Sequence, residues 1–313
     1  ISGMVTCKAP RNKTIQLSEA EIKALTAQAL RLNHRTPIEE LCGHIIWQDT
    51  FQVLDYLPKD SIDLMIVDPP YNLTKNFGHS TFKEMGLTDY KKWLDKWLKK
   101  TIPLLKANAS VYICADWRTS IAIPEVAGKY LLLQNRISWE REKGRGALNN
   151  WKNCLEDIWF FSRSKEYTFN IDDMKIQRKV IAPYRDESGK PKDWEQSGDG
   201  RTRFTYPSNI WTDISIPFWS MPENTNHPTQ KPEKLIAKLI LASSNKGDVV
   251  FDPFVGSGTT AVTAKKLGRR FVGIEKEKEY VALALKRLLM ADDNAEIQGY
   301  ENGIFKARNG AYS

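Results

Sequence analysis

Apolar positions along this chain switch repeatedly between helical and strand spacing. Over residues 17–32, Ile22, Leu25, Ala29 and Leu32 fall on one helical face, and Ser18 with Glu21 has the form of a capping box. This predicts an N-terminal amphipathic helix. Gly43 and the run Ile45-Ile46-Trp47 then predict a first strand that ends at Asp49. A short helix over 51–57 and a turn at Pro58-Lys59-Asp60 lead into Ile62-Asp63-Leu64-Met65-Ile66-Val67. That run is too apolar for a half-exposed strand and predicts a buried, parallel one.

The stretch 72–89 is polar and contains glycine, as expected of a functional loop. Helical spacing returns over 90–105 through Trp93, Leu94, Trp97, Leu98 and Leu105. A third strand is expected at 111–114, a helix over 121–133, and strands near 135–140 and 157–161. Residues 170–225 break this rhythm, being rich in Pro, Gly, Asp and Trp with no long periodic run. Regularity resumes with a helix to Ala242, a strand at 248–252, a helix to Leu267, a strand at 270–275 and a last helix to about 290. Strands alternating with helices predict an α/β fold, a Rossmann-like doubly wound and mostly parallel sheet carrying an inserted irregular region.

Composition changes this picture little. Lys and Arg outnumber Asp and Glu by 46 to 38, a net charge of +8 that suits phosphate-bearing partners without requiring them. Cys7, Cys42, Cys114 and Cys154 are scattered with no Cys-x-x-Cys pair, so they read as reduced thiols. The four histidines lack metal-ligand spacing, and no metal is expected. No apolar run is long enough for a membrane span and no signal-peptide core opens the chain, which makes a cytoplasmic protein the expectation.

Two segments carry chemistry. In Phe251-Asp252-Pro253-Phe254-Val255-Gly256-Ser257-Gly258-Thr259-Thr260, a buried strand ends in an acid and a Gly-x-Gly turn opens a helix. Glycines there let the backbone approach a ligand at the carboxyl edge of a sheet. The next strand ends in Glu275, suited to accept both hydroxyls of a ribose. Ala261 at the third glycine position leaves NAD open on spacing alone. Asp252, however, suits a cationic ammonium better than a pyrophosphate, so S-adenosyl-L-methionine fits better.

The second segment is Asp68-Pro69-Pro70-Tyr71, at the end of the buried 62–67 strand. Two prolines donate no backbone hydrogen bond and stiffen the chain, so Asp68 and the Pro69 carbonyl are candidate acceptors. An amino group conjugated to a base ring is a poor nucleophile. Acceptors gripping its hydrogens favour a tetrahedral nitrogen and take up developing positive charge. Tyr71 suits stacking on a base turned out of a duplex. No cysteine follows a proline, which disfavours carbon-5 cytosine methylation by an attacking thiolate.

With both segments in hand, the chain resembles the β-class amino DNA methyltransferases of bacterial restriction–modification systems and phages. Asp68–Tyr71 comes first, the irregular region next and Phe254-Val255-Gly256-Ser257-Gly258 last, as in that family. His227-Pro228-Thr229-Gln230-Lys231-Pro232 is similar to the family's motif before the first cofactor-binding helix.

The resemblance implies methyl transfer from S-adenosyl-L-methionine to N6 of adenine in DNA, with N4 of cytosine as the same-chemistry alternative. RNA or protein amides, an inactive DNA-binding subunit and a dehydrogenase are further alternatives. Asp68, Pro69, Pro70 and Tyr71 are the implied catalytic residues. Asp49, Asp68, Thr229, Lys231, Asp252, Phe254, Gly256, Ser257, Gly258, Thr259 and Glu275 are the implied cofactor contacts. Asn76, His79 and Lys83 in the loop after the catalytic motif, with Arg141, Lys143 and Arg145, are candidate DNA contacts.

The expected organisation is an N-terminal extension over 1–43, a catalytic half over 44–169, a target-recognition region over 170–226, and a cofactor-binding half with the C-terminal tail over 227–313. DNA is the expected partner. The family resemblance extends the expectation to a cognate restriction endonuclease, a homodimer and a place at the nucleoid of a prokaryote. Trp151, Trp194, Trp211 and Trp219 are read mostly as core.

Overall fold

The computed structural model describes residues 11–77, 80–141, 148–180, 184–197 and 200–306. His79, Lys143 and Arg145 lie outside the described residues. An eight-stranded sheet runs in the order His44–Trp47, Arg270–Glu275, Val249–Asp252, Ile62–Val67, Leu105–Asp116, Leu155–Ser162, Leu132–Glu140, Ile210–Trp211. The first five strands are mutually parallel. Leu155–Ser162 runs antiparallel to both of its neighbours, and the short Ile210–Trp211 strand is parallel to Leu132–Glu140.

Helices cover both faces, as the near-continuous apolar strands require. One core layer sets Leu94, Trp97 and Leu98 of helix Leu87–Thr101 against Met65, Val67 and Val111. The other sets Leu235, Ile236 and Leu239 of helix Glu233–Ser243, with Val262 and Val281 of the next two helices, against Leu64, Ile66 and Val250. Helices Thr259–Lys266 and Lys278–Asp293 follow the last two long parallel strands, as the spacing predicts.

Three expectations need correction. The N-terminal helix spans only Glu19–Thr26, although the capping box is present, with Glu21 N–H 3.3 Å from Ser18 Oγ and Ser18 N–H 2.9 Å from Glu21 Oε2. It stops early because Leu30 joins the sheet edge, donating to the Ile45 carbonyl and accepting from Trp47 N–H. Residues 121–133 are not one helix: helix Ile123–Ala127 ends at Gly128, and Leu132 already pairs with Ser162 in the sheet. The 72–89 stretch holds a hairpin of Lys75–Phe77 and Ser80–Phe82, rooted where Asn72 binds both the N–H and the carbonyl of Met85.

Residues 170–225 are more regular than their composition suggests. A second sheet runs in the order Tyr300–Glu301, Ile304–Lys306, Ile176–Lys179, Gly200–Thr205, Glu195–Ser197. Two of its strands come from the C-terminal end of the chain, so no local periodicity reveals it. Trp194 and Trp211 are buried, whereas Trp151 and Trp219 are exposed, so two of the four tryptophans do not belong to the core.

The glycine turn joins Val249–Asp252 to helix Thr259–Lys266 through two left-handed residues, Gly256 at φ +54° and Gly258 at φ +87°. The two are needed for different reasons. A Cβ on Gly258 would lie 2.7 Å from Ala284 Cβ, on helix Lys278–Asp293, so this glycine lets two helices touch. Gly258→Ala is therefore predicted to destabilise the fold by about 2–4 kcal/mol, the sum of left-handed strain and overpacking. Urea unfolding checks this, and an unchanged midpoint would contradict the packing assignment.

Candidate active site

The carboxyl ends of the parallel strands define one edge of the sheet, and the acids that end them gather there. Asp68 follows Ile62–Val67, while Asp252 and Glu275 close Val249–Asp252 and Arg270–Glu275. Asp49 caps the short helix after His44–Trp47 through Phe51 N–H at 2.9 Å. These four carboxylates line a single cleft of about 1390 Å³, part of it open to solvent. Pro69, Pro70, Tyr71, Thr229, Lys231, Phe254, Gly256, Ser257 and Thr259 share its wall.

Gly258 does not line the cleft, since its bare Cα faces Ala284 instead. At Gly256 a Cβ would stand 2.9 Å from His227 Nε2, so glycine here keeps the turn against the imidazole. Burial holds His227 neutral, with a pKa pushed down to about 3, and its ring packs 4.4 Å from that of Tyr280. Phe254 is wedged between Trp93 and Trp97, with ring centroids at 5.9 and 5.6 Å, and it floors one end of the cleft.

The acids differ in what satisfies them. Asp252 accepts from Thr260 Oγ1 at 2.6 Å and Phe254 N–H at 3.0 Å. Glu275 accepts from the N–H groups of Gly256, Lys276 and Glu277 at 2.8–3.0 Å. Burial outweighs these bonds and raises both pKa values to about 7. The cleft thus holds two carboxyls poised to ionise when a cation or a set of hydroxyls arrives.

Asp68 sits in a denser cluster. Its Oδ2 lies 2.6 Å from Lys231 Nζ, which also lies 3.1 Å from the Tyr71 hydroxyl and 3.3 Å from Glu156 Oε2. Tyr71 donates to Glu156 Oε2 at 3.1 Å, and Arg141 donates to Glu156 Oε1 at 2.5 Å. The other Asp68 oxygen, Oδ1, is buried with no hydrogen-bond partner among the described residues. Burial raises the Asp68 pKa against the pull of Lys231. At Pro70, by contrast, the carbonyl is already taken by the Tyr90 hydroxyl at 3.0 Å.

Of the expected DNA contacts, Asn76 and Lys83 lie on or beside the hairpin whose Lys75, Phe77 and Thr81 line the cleft. Lys83 is exposed, and the Asn76 side chain accepts from Thr81 Oγ1 at 2.8 Å. Arg141 is placed differently from a free phosphate ligand, because its guanidinium is committed to buried Glu156. Sequence reasoning missed Glu156 altogether. The strand Leu155–Ser162 runs antiparallel, so its first residues, not its last, reach the carboxyl edge, where Glu156 pairs in register with Asp116. The available signal was a glutamate at a buried position beside Asp157, at the start of a strand that is apolar from Ile158 to Phe161.

Among the described residues, no group of His, Cys, Asp and Glu is arranged to hold a metal ion, and no helix is long and apolar enough to cross a membrane.

Comparison with known proteins agrees with this geometry. A DNA methylase family model matches residues 62–286. The chain is 35% identical over 279 residues to the DNA adenine methyltransferase YhdJ of Escherichia coli K12, covering 85% of this chain and 90% of that protein. It is 33% identical over 261 residues to the type II methyltransferase M.HpaI of Haemophilus parainfluenzae, covering 82% and 76%. Among solved structures, the cytosine-N4-specific PvuII DNA methyltransferase shares the fold at a TM-score of 0.59 and 19% identity, over 81% of this chain and 87% of that one. TTHA0409 of Thermus thermophilus, complexed with S-adenosyl-L-methionine, does so at 0.53 and 23%, over 90% and 100%. The strand order, the cleft of acids and a match spanning most of the sheet lead to one conclusion: this chain belongs to the DNA methylase family, with the class I methyltransferase fold.

Proposed function

We propose that this protein transfers the methyl group of S-adenosyl-L-methionine to the N6 amino group of adenine in DNA, acting on a base turned out of the duplex. The observation that carries the reading is Asp68 Oδ1, a buried acceptor without a partner on the wall of the cleft. A buried acceptor left unmatched costs about 1–3 kcal/mol, so its retention at this edge points to a donor that arrives with the substrate. The relationship to a DNA adenine methyltransferase at 35% identity supports adenine as the base.

The residues present fit the cofactor. Asp252 offers negative charge to its cationic end, Glu275 suits a ribose, Asp49 an adenine amine, and Phe254 an aromatic face. Gly256 keeps the turn low beside them, while Thr229, Ser257 and Thr259 supply the remaining wall. When bound, S-adenosyl-L-methionine supplies an electrophilic methyl group on a sulfonium.

The protein's own part is to prepare the amine. Asp68 Oδ1 and the Pro69 carbonyl accept its two hydrogens, which draws the nitrogen lone pair out of conjugation and towards the methyl donor. Pro69 and Pro70 hold these acceptors rigidly, so little reorganisation accompanies the reaction. Tyr71, its hydroxyl anchored on Lys231 and Glu156, offers a fixed ring beside the base. The hairpin bearing Asn76 lies over the cleft and suits closure on the extruded nucleotide, with Lys83 towards the phosphates.

Residues 170–226 are the proposed recognition region, which presents Arg178, Arg201 and Arg203 on the second sheet. Relationship to type II methyltransferases supports a restriction–modification setting with a cognate endonuclease, and a cytoplasmic, dimeric enzyme is part of the same proposal.

These roles have consequences for rate and for pH. Asp68→Ala is expected to lower methyl transfer by about 10²–10³-fold, the scale on which preorganised transition-state contacts act. Cofactor affinity, measured by calorimetry, should stay within a few-fold, and retained turnover would overturn the reading. A cationic ligand favours the ionised forms of Asp252 and Glu275, whose pKa values lie near 7. Affinity for S-adenosyl-L-methionine is therefore expected to fall as pH drops from 8 to 6, by roughly tenfold for each carboxyl that must ionise. A dissociation constant that is flat across this range would contradict the assignment of these two acids.

A further inference from the structure

The cluster behind Asp68 has more charged members than amine activation needs. Lys231 precedes helix Glu233–Ser243, Glu156 opens an antiparallel strand, and Asp68 ends a parallel one, so three distant segments meet at one ammonium. An ammonium has three donors. Here two are donated to Asp68 Oδ2 and the Tyr71 hydroxyl, at 2.6 and 3.1 Å, and Glu156 Oε2 pairs with the same charge at 3.3 Å. The ammonium is thereby enclosed by groups of the protein. Lys231 is buried with only 7% of its side chain exposed, and Glu156 with 5%. Glu156 is itself fully engaged, by Tyr71 and Lys231 on one oxygen and by Arg141 on the other.

We infer that Lys231 and Glu156 form a coupled positioning pair that pins Asp68 by one oxygen and sets its charge, leaving the other oxygen aimed at the substrate amine. This rests on the amine-activation role proposed for Asp68. Lys231 lies on the cleft wall, yet its ammonium serves the catalytic acid rather than the cofactor. The pair has opposing signs. Lys231 favours ionised Asp68, whereas the charge on Glu156 disfavours it. Arg141 offsets Glu156 and keeps the four-group cluster electrically balanced, as burial demands.

Other groups face Asp68, but their titrations are separable. Tyr71, Cys114 and Tyr90 are pushed upward by burial and stay neutral near pH 7. Lys75, from the hairpin, is drawn downward by burial, and it is common to the wild type and all three variants. Asp252 titrates near 7 but acts on cofactor affinity, so it drops out of kcat at saturating cofactor.

The test is the pH dependence of single-turnover methyl transfer at saturating S-adenosyl-L-methionine and DNA, for the wild type, Lys231→Met, Lys231→Arg and Glu156→Gln. Removing the ammonium should move the acid limb upward by at least about one pH unit, the usual effect of an opposite charge at this distance. Glu156→Gln should move it downward, and Lys231→Arg, which keeps the charge, should hold it near the wild-type position while lowering the rate. A merely structural role moves rates or thermal stability without opposite displacements of the limb. Should Lys231→Met fail to fold, the isosteric Glu156→Gln decides alone: a limb that stays put or moves upward overturns the pairing. Inactive Asp68→Ala together with an unmoved limb in Glu156→Gln would sink the pairing only, whereas active Asp68→Ala would sink the amine-activation role beneath it.

Discussion

Burying carboxylates at one edge of a sheet is costly unless each finds a donor, and that constraint organises this protein. Asp68, Asp252 and Glu275 end three neighbouring strands of a sheet covered by helices on both faces, so none is fully solvated. Glu275 is met by backbone N–H groups, Asp252 by Thr260 and a backbone N–H, and Asp68 by Lys231 on one oxygen only. The residual demand of these acids is what makes the cleft receptive to a ligand with a cationic end and several donors.

Packing elsewhere serves that edge. Trp93 and Trp97 hold Phe254, Ala284 admits the backbone of Gly258, and Tyr90 ties down the Pro70 carbonyl. Arg287, buried at the back of the glycine turn, donates to the Ser257 carbonyl and to Thr259 Oγ1 while paired with Glu233. The turn is thereby braced from the side opposite the cleft, and this fixes the positions of Gly256 and Ser257 before any ligand arrives.

Much of this was legible in the sequence because the main sheet is built from local units. A buried parallel strand followed by an acid, and a Gly-x-Gly turn opening a helix, announce themselves within a dozen residues. What stayed hidden depends on contacts distant in the chain. Glu156 reaches the site only because its strand runs antiparallel, and a periodicity has no direction. The second sheet borrows Ile304–Lys306 to pair with Ile176–Lys179, so residues 170–225 look irregular when read alone. Leu30 leaves the expected helix for a bridge to Ile46, a tertiary bond that outweighs helical spacing. The two glycines of the turn look equivalent in sequence, although Gly256 faces His227 in the cleft and Gly258 faces a helix.

Asp68 and its supporting cluster are proposed to activate the N6 amine of adenine in DNA. The most direct measurement is to incubate the protein with isotopically labelled S-adenosyl-L-methionine and unmethylated DNA, digest the DNA to nucleosides, and identify the labelled product by mass spectrometry. N6-methyladenine is the expected labelled nucleoside. Label in N4-methylcytosine would contradict the base assignment while keeping the chemistry, and cofactor binding with no labelled nucleoside would contradict the claim itself.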